Sequence, residues 1–137
     1  MKPRYMLDTN MCIYLIKNQP ARVAARFAGC LAGEVVMSAV TLAELEYGVA
    51  CSAESAGQNR KALAALLEDI PAAPFDSCAA RTYGPLRLAA RDRSRDALDK
   101  LIAAHAVALE AILVTNNEAD FVGYRDLRVE NWVAEPA

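Results

Sequence analysis

The sequence predicts an α/β fold around a mostly parallel sheet. Short apolar runs alternate with longer helical stretches along the whole chain, with no internal repeat. The runs Tyr5–Leu7, Glu34–Ser38 and Ile112–Val114 are short and bounded by turn or polar residues, as buried strands are. Parallel strands joined by right-handed crossovers are the simplest arrangement for that alternation. A length of 137 residues suits one compact domain, residues 1–137.

Each element has a local signal. After Tyr5–Leu7, Thr9 and Asn10 offer caps for a helix through Cys12, Ile13, Leu15 and Ile16. Asn18, Gln19 and Pro20 end it, and Pro20 suits the first turn of a second helix reaching Phe27 or Leu31. The strand Glu34–Ser38 follows Gly33. Thr41 and Glu44 then have the spacing of a capping box, opening a helix through Tyr47 and Val49. Ser52–Gly57 reads as a polar joint and Asn59–Leu67 as a helix, with Leu63, Leu66, Leu67 and Ile70 on one face.

Pro71 stops that helix. Ala72–Phe75 predicts an edge strand, because Pro74 cannot donate to a ladder. Asp76 or Ser77 caps the next helix, which runs towards Ala90 with a kink expected at Gly84-Pro85. Ala97–Glu110 is helical and apolar nearly all round, as in a helix buried on several sides or shared with a second subunit. Leu127–Val129 predicts a last strand, with Trp132 packing the C-terminal segment.

The totals restrict function. A hydrophobic fraction of 55% excludes a disordered chain. A formal net charge of -2 and a pI near 5.4 oppose a broad nucleic-acid-coating surface but allow a local basic patch. Cys12, Cys30, Cys51 and Cys78 form no CxxC pair, so neither zinc nor redox chemistry has support. Free, mostly buried thiols in a reducing cytoplasm are expected. Asp8 interrupts any signal-peptide core, and the apolar run Leu101–Leu109 is too short to span a bilayer. The expected location is cytoplasmic, with no membrane contact.

Acids mark the candidate site. Asp8, Glu44 and Asp120 all follow strand ends, at the carboxyl edge where α/β sheets place ligands. Each has a plainer role available: Asp8 as a helix cap, Glu44 as half of the capping box, Asp120 as a loop acid. Several carboxylates gathered together need cations to neutralise them, and hard oxygen ligands suit Mg²⁺ or Mn²⁺. The lone His105 has no partner motif and reads as a packed, hydrogen-bonded side chain. With no convincing serine, cysteine or histidine nucleophile, metal-activated water attacking a phosphodiester fits the residue types. Arg87, Arg91, Arg93, Arg95 and Lys100 form the densest basic region, interleaved with Asp92 and Asp96. They read either as a salt-bridged surface or as a rim that meets RNA phosphate.

The segments MLDTN, TLAELEYG, DKLIAAHA, VTNNEADF and VENW, in that order over essentially the whole chain, resemble the VapC family of PIN-domain ribonuclease toxins. The resemblance implies a three-layer α/β/α sandwich, a homodimer and a Mg²⁺- or Mn²⁺-dependent endoribonuclease. It also implies inhibition by a cognate VapB-type antitoxin, in an assembly that reaches operator DNA only through the antitoxin. Family members cut tRNA or rRNA, and the most similar subgroup cleaves initiator tRNA in its anticodon loop. Carried over by motif, the family carboxylates fall on Asp8, Glu44, Asp99 and Asp120. Asp8 and Asp99 are expected as direct metal ligands, with Glu44 and Asp120 completing the metal-water network. Thr9, Asn10, Asp96, Thr115 and Asn117 are expected to support that network or touch substrate. The chain departs from the family just before Asp99, where RDRSRDAL replaces a glycine-containing segment. That departure leaves open a weakly catalytic binding or regulatory module. A helical interaction subunit whose acids are only caps is a third reading.

Overall fold

The computed structural model describes residues 2–91 and 97–134. Its strands are β1 (Tyr5–Leu7), β2 (Val35–Ser38), β3 (Ala72–Ala73), β4 (Ile112–Val114) and β5 (Val129–Glu130). They form one sheet in the order β3-β2-β1-β4-β5, and every pairing is parallel. The helices are α1 (Thr9–Lys17), α2 (Ala21–Ala28), α3 (Ala39–Cys51), α4 (Ala56–Asp69), α5 (Ser77–Ala89) and α6 (Ala97–Leu109).

The expected three-layer α/β/α sandwich forms. Successive strand side chains point to opposite faces of the sheet. Tyr5, Leu7, Val35, Met37 and Val114 therefore pack with α1–α4 and Trp132, whereas Met6, Val36 and Leu113 pack with α5 and α6. Both faces are covered, which is why β1 and β2 are buried at every residue. The alanines at 103, 104 and 106 are fully buried on α6, where small side chains let the helix lie close to the sheet.

The topology has a switch point. The chain moves outward from β1 through β2 to β3, then returns across α5 and α6 to β4 on the other side of β1. Strand order thus reverses between β1 and β4, and sheets of this kind bind ligands beyond the carboxyl ends of the strands at such a point. Asp8 leaves β1 there and Thr115 leaves β4, and the Asp8 N–H donates to the Val114 carbonyl at 3.0 Å.

Several local expectations are corrected. Asp8, rather than Thr9 or Asn10, caps α1. Ser38 caps α3 as its Oγ accepts from the Val40 N–H, so Thr41 lies inside the helix, buried, and the expected Thr41–Glu44 capping box does not form. Pro20 stands as the extended residue just before α2. The polar joint becomes a 3-10 turn, Ala53–Ser55, running into an α4 that starts before Asn59. β3 ends ahead of Pro74, as the missing donor requires. α5, capped by Asp76, continues through Pro85. β5 lies later than Leu127–Val129, because Leu113 pairs with Val129 and Val114 with Glu130. The thiols are not mostly buried: Cys12 is, Cys30 is half-buried, and Cys51 and Cys78 are exposed. Among the described residues, no helix is long and apolar enough to cross a membrane.

Candidate active site

Asp8 is only 6% exposed, a costly position for a carboxylate. Its cap geometry explains how the fold tolerates it: Oδ1 accepts the Met11 N–H at 2.9 Å, at the positive end of α1. Thr115 and the Asn10 N–H also lie within reach of it and favour its charged form. Burial nevertheless pushes its pKa up from the ordinary carboxylate value, with the charge of Glu44 adding to the push, against the lowering effect of Thr115, Met11 and Asn10.

Glu44 projects from α3 and is half-buried. The Thr9 hydroxyl donates to its Oε1 at 2.7 Å, tying the start of α1 to α3. Thr9 thus positions the second acid while its neighbour Asp8 supplies the first. On the far side, the Thr115 Oγ1 that serves Asp8 also accepts the Asn117 N–H at 3.0 Å. One hydroxyl therefore links the buried acid to the loop after β4.

The remaining predicted residues lie at different depths. Asp99 is half-buried in the first turn of α6. Asp120 is exposed in a 3-10 turn, Glu118–Phe121, and its N–H donates to the Asn117 carbonyl at 3.0 Å. Asn10 and Asn117 are exposed. Asp96, Arg93 and Arg95 lie outside the described residues. Arg87 and Arg91 are exposed at the end of α5, and Arg87 lies over the Tyr83 ring. Lys100 is buried, 7% exposed, and does not stand on the exposed basic rim expected for it.

The structure therefore couples Asp8 to Glu44. Among the described residues, it does not gather any three acids, histidines or cysteines closely enough to hold a metal ion. Of the four expected carboxylates, Glu44 acts electrostatically on Asp8, and Asp99 and Asp120 stand on two other elements, the start of α6 and the turn after β4. The chemistry of the pair still fits a hard divalent cation: two carboxylates, one of them buried, repel each other and offer only oxygen donors.

His105 is buried, as expected, but its network was not legible in the sequence. Ser38 Oγ, which accepts the Val40 N–H, is also hydrogen-bonded to His105 Nδ1 at 2.8 Å. Burial lowers the pKa of the ring, against the raising influence of Asp76 and of the Pro74 carbonyl. Phe75 packs edge-on at 5.3 Å. Ser38 precedes the helix that carries Glu44, so this contact braces α3 against α6. A serine at a strand-to-helix handover was the only available signal for it.

Beside the acids, an apolar groove of about 760 Å³ is lined by Val40, Tyr47, Phe75, Leu98 and Leu101 and shared with Thr9 and Glu44. Tyr47 and Leu98 are 72% and 45% exposed.

A parallel sheet with a buried, paired carboxylate at its switch point is the frame of a PIN domain, and the PIN domain family model matches residues 5–126. The tRNA(fMet)-specific endonuclease VapC of Shigella flexneri is 38% identical over 131 residues, 94% of this chain and 98% of that protein. The VapBC2 structure from Rickettsia felis, bound to a promoter DNA fragment, superposes with a TM-score of 0.84 at 36% identity, covering 93% of this chain and 98% of that one. DNA-bound VapBC from Salmonella typhimurium gives 0.86 at 32% identity, over 95% and 98%. This chain belongs to the PIN domain family, in the VapC group of metal-dependent endoribonuclease toxins.

Proposed function

We propose that the crevice between β1 and β4 hydrolyses RNA phosphodiester bonds with Mg²⁺ or Mn²⁺ held by Asp8, Glu44, Asp99 and Asp120. The coupling of buried Asp8 to Glu44 carries this reading, because a divalent cation turns that repulsion into binding energy. When bound, the ion supplies a lowered water pKa and polarisation of the phosphoryl oxygen. Asp8 and Asp99 make direct metal contacts, and Glu44 and Asp120 complete the network and orient the attacking water. Thr9 fixes the Glu44 carboxylate and Thr115 fixes Asp8. Asn10 and Asn117 face solvent where substrate arrives, and exposed Arg87 and Arg91 offer phosphate contacts.

The substrate is a tRNA cut in its anticodon loop, and the initiator specificity in the Shigella relative's name supports that choice. The partner is a VapB-type antitoxin, which carries the toxin to operator DNA; the DNA-bound VapBC structures support this. The chain works as a homodimer in the cytoplasm. The apolar groove with exposed Tyr47 and Leu98 supports a second copy as its cover.

Purified protein incubated with tRNA and Mn²⁺ is expected to yield discrete fragments, with none in excess EDTA. The Asp99→Asn variant, folded by circular dichroism, is expected to yield none. Parent-level cleavage by that variant, or cleavage that ignores the chelator, would remove this reading.

A further inference from the structure

Asn131 sits in VENW, a motif whose chemistry the acidic site does not use. Its mounting is firm. Val114 pairs with Glu130, and the Thr115 N–H donates to the Glu130 carbonyl at 3.0 Å, so Asn131 follows directly on the edge of the sheet. The Glu130 carboxylate accepts from Arg26 at 2.9 Å and from the Trp132 indole at 3.1 Å. Trp132 is 2% exposed and packs edge-on against Tyr5 at 5.2 Å. Both neighbours of Asn131 are therefore held.

From that mount the amide is fully used. Its Oδ1 accepts the N–H groups of Val133 and Ala134, at 2.8 and 3.1 Å. Those two bonds fix which end of the amide is oxygen. Its Nδ2 donates to Asn116 Oδ1 at 3.1 Å and to Glu118 Oε1 at 2.8 Å. Asn116 and Glu118 flank Asn117, whose N–H reaches the Thr115 hydroxyl that serves Asp8, and whose carbonyl accepts from Asp120. Residues 116 to 120 are all exposed, so no apolar burial holds this loop between β4 and Phe121.

We infer that Asn131 is a positioning residue for the acidic crevice: its amide clamps Asn116 and Glu118 and so fixes the loop that connects Thr115 to Asp120. This rests on the assignment of Asp8 and Asp120 to the nuclease site. Asparagine is specific here, because one side chain must accept from its own segment and donate to the loop. Aspartate keeps the acceptor for Val133 and Ala134 but turns the donor into a charge facing Glu118. Asn116 can rotate its amide and donate to that charge, whereas the Glu118 carboxylate has no proton to offer. Replacing Glu118 by glutamine as well restores a donor across the contact and keeps the parent's net charge.

The test compares the parent with Asn131→Asp, Glu118→Gln and the double variant. Hydrogen–deuterium exchange is read on a peptide covering residues 115 to 121, and RNA cleavage is measured over a Mn²⁺ titration. Asn131→Asp is expected to exchange faster in that peptide alone and to lose roughly 10- to 100-fold in apparent Mn²⁺ affinity or turnover, the range for residues that orient metal ligands. Glu118→Gln should match the parent, and the double variant should recover the slow exchange and most of the activity. Unchanged loop exchange in Asn131→Asp overturns the inference. So does a loss that spreads through the whole protein and is not rescued, since that marks a purely structural residue. A parent that never cleaves RNA removes the nuclease assignment instead, and loop exchange still decides whether Asn131 holds the loop.

Discussion

Replacing Asp8 by asparagine separates what this residue does for folding from what it does for catalysis. The carboxylate is 6% exposed and caps α1 through Met11. An amide keeps an oxygen for the Met11 N–H, and asparagine ranks with aspartate as a cap. It also removes a charge that burial and Glu44 both disfavour. Alanine removes that charge too, but leaves the Met11 N–H without its acceptor, a loss of about 1 kcal/mol. For a chain of this size, that corresponds to about 4 °C in melting temperature. In EDTA at neutral pH, Asp8→Asn should therefore melt at or above the parent and about 4 °C above Asp8→Ala. The sign with pH follows from the raised pKa. The folded state holds the Asp8 proton more tightly than the unfolded state, so the parent loses stability as pH rises from 3.8 through the folded value. The asparagine variant lacks that loss. In Mn²⁺, its RNA cleavage should fall by at least about 100-fold, because a neutral amide is a poor substitute for an anionic ligand. Scanning calorimetry and a gel-based cleavage assay read the two effects. An asparagine variant that melts below the alanine variant refutes the account of the cap, and one that cleaves like the parent refutes the site.

Two further outcomes are expected. Thr9→Val keeps the shape of the side chain but deletes the 2.7 Å bond to Glu44. Cleavage should fall about 10- to 100-fold with a melting shift of only a few degrees, and a shift in metal half-saturation would separate this from loss of substrate affinity. His105 has a folded pKa below its ordinary value, chiefly from burial and against the opposing influence of Asp76 and the Pro74 carbonyl. The unfolded chain thus takes up the proton first, and the stability it confers above pH 6.5 is lost as pH falls towards the folded value, by at most about 1.4 kcal/mol per pH unit. Urea melts of the parent and His105→Gln between pH 7.5 and 5.5 should diverge in slope; parallel curves would show that folding leaves the proton affinity of the imidazole unchanged.

The sequence alone determined the alternation of strands and helices, because all-apolar runs such as Tyr5–Leu7 suit only a sheet covered on both faces. It also singled out Asp8, an acid directly after a strand at the edge where such sheets bind ligands, and Glu44 in the helix that follows the second strand. Its errors were local: Thr41 looked like a cap, and Lys100 like a surface cation. Spacing cannot show which of two nearby hydroxyls meets the first free N–H, nor which side of a helix faces the sheet. Only the tertiary structure set the strand order, with its reversal between β1 and β4, and so put Asp8 beside Thr115 across more than a hundred residues of chain. The same packing joined Thr9 to Glu44, Ser38 to His105 and Asn131 to the loop after β4. Each of those bonds spans residues distant in the chain, and its partner is chosen by how the layers stack.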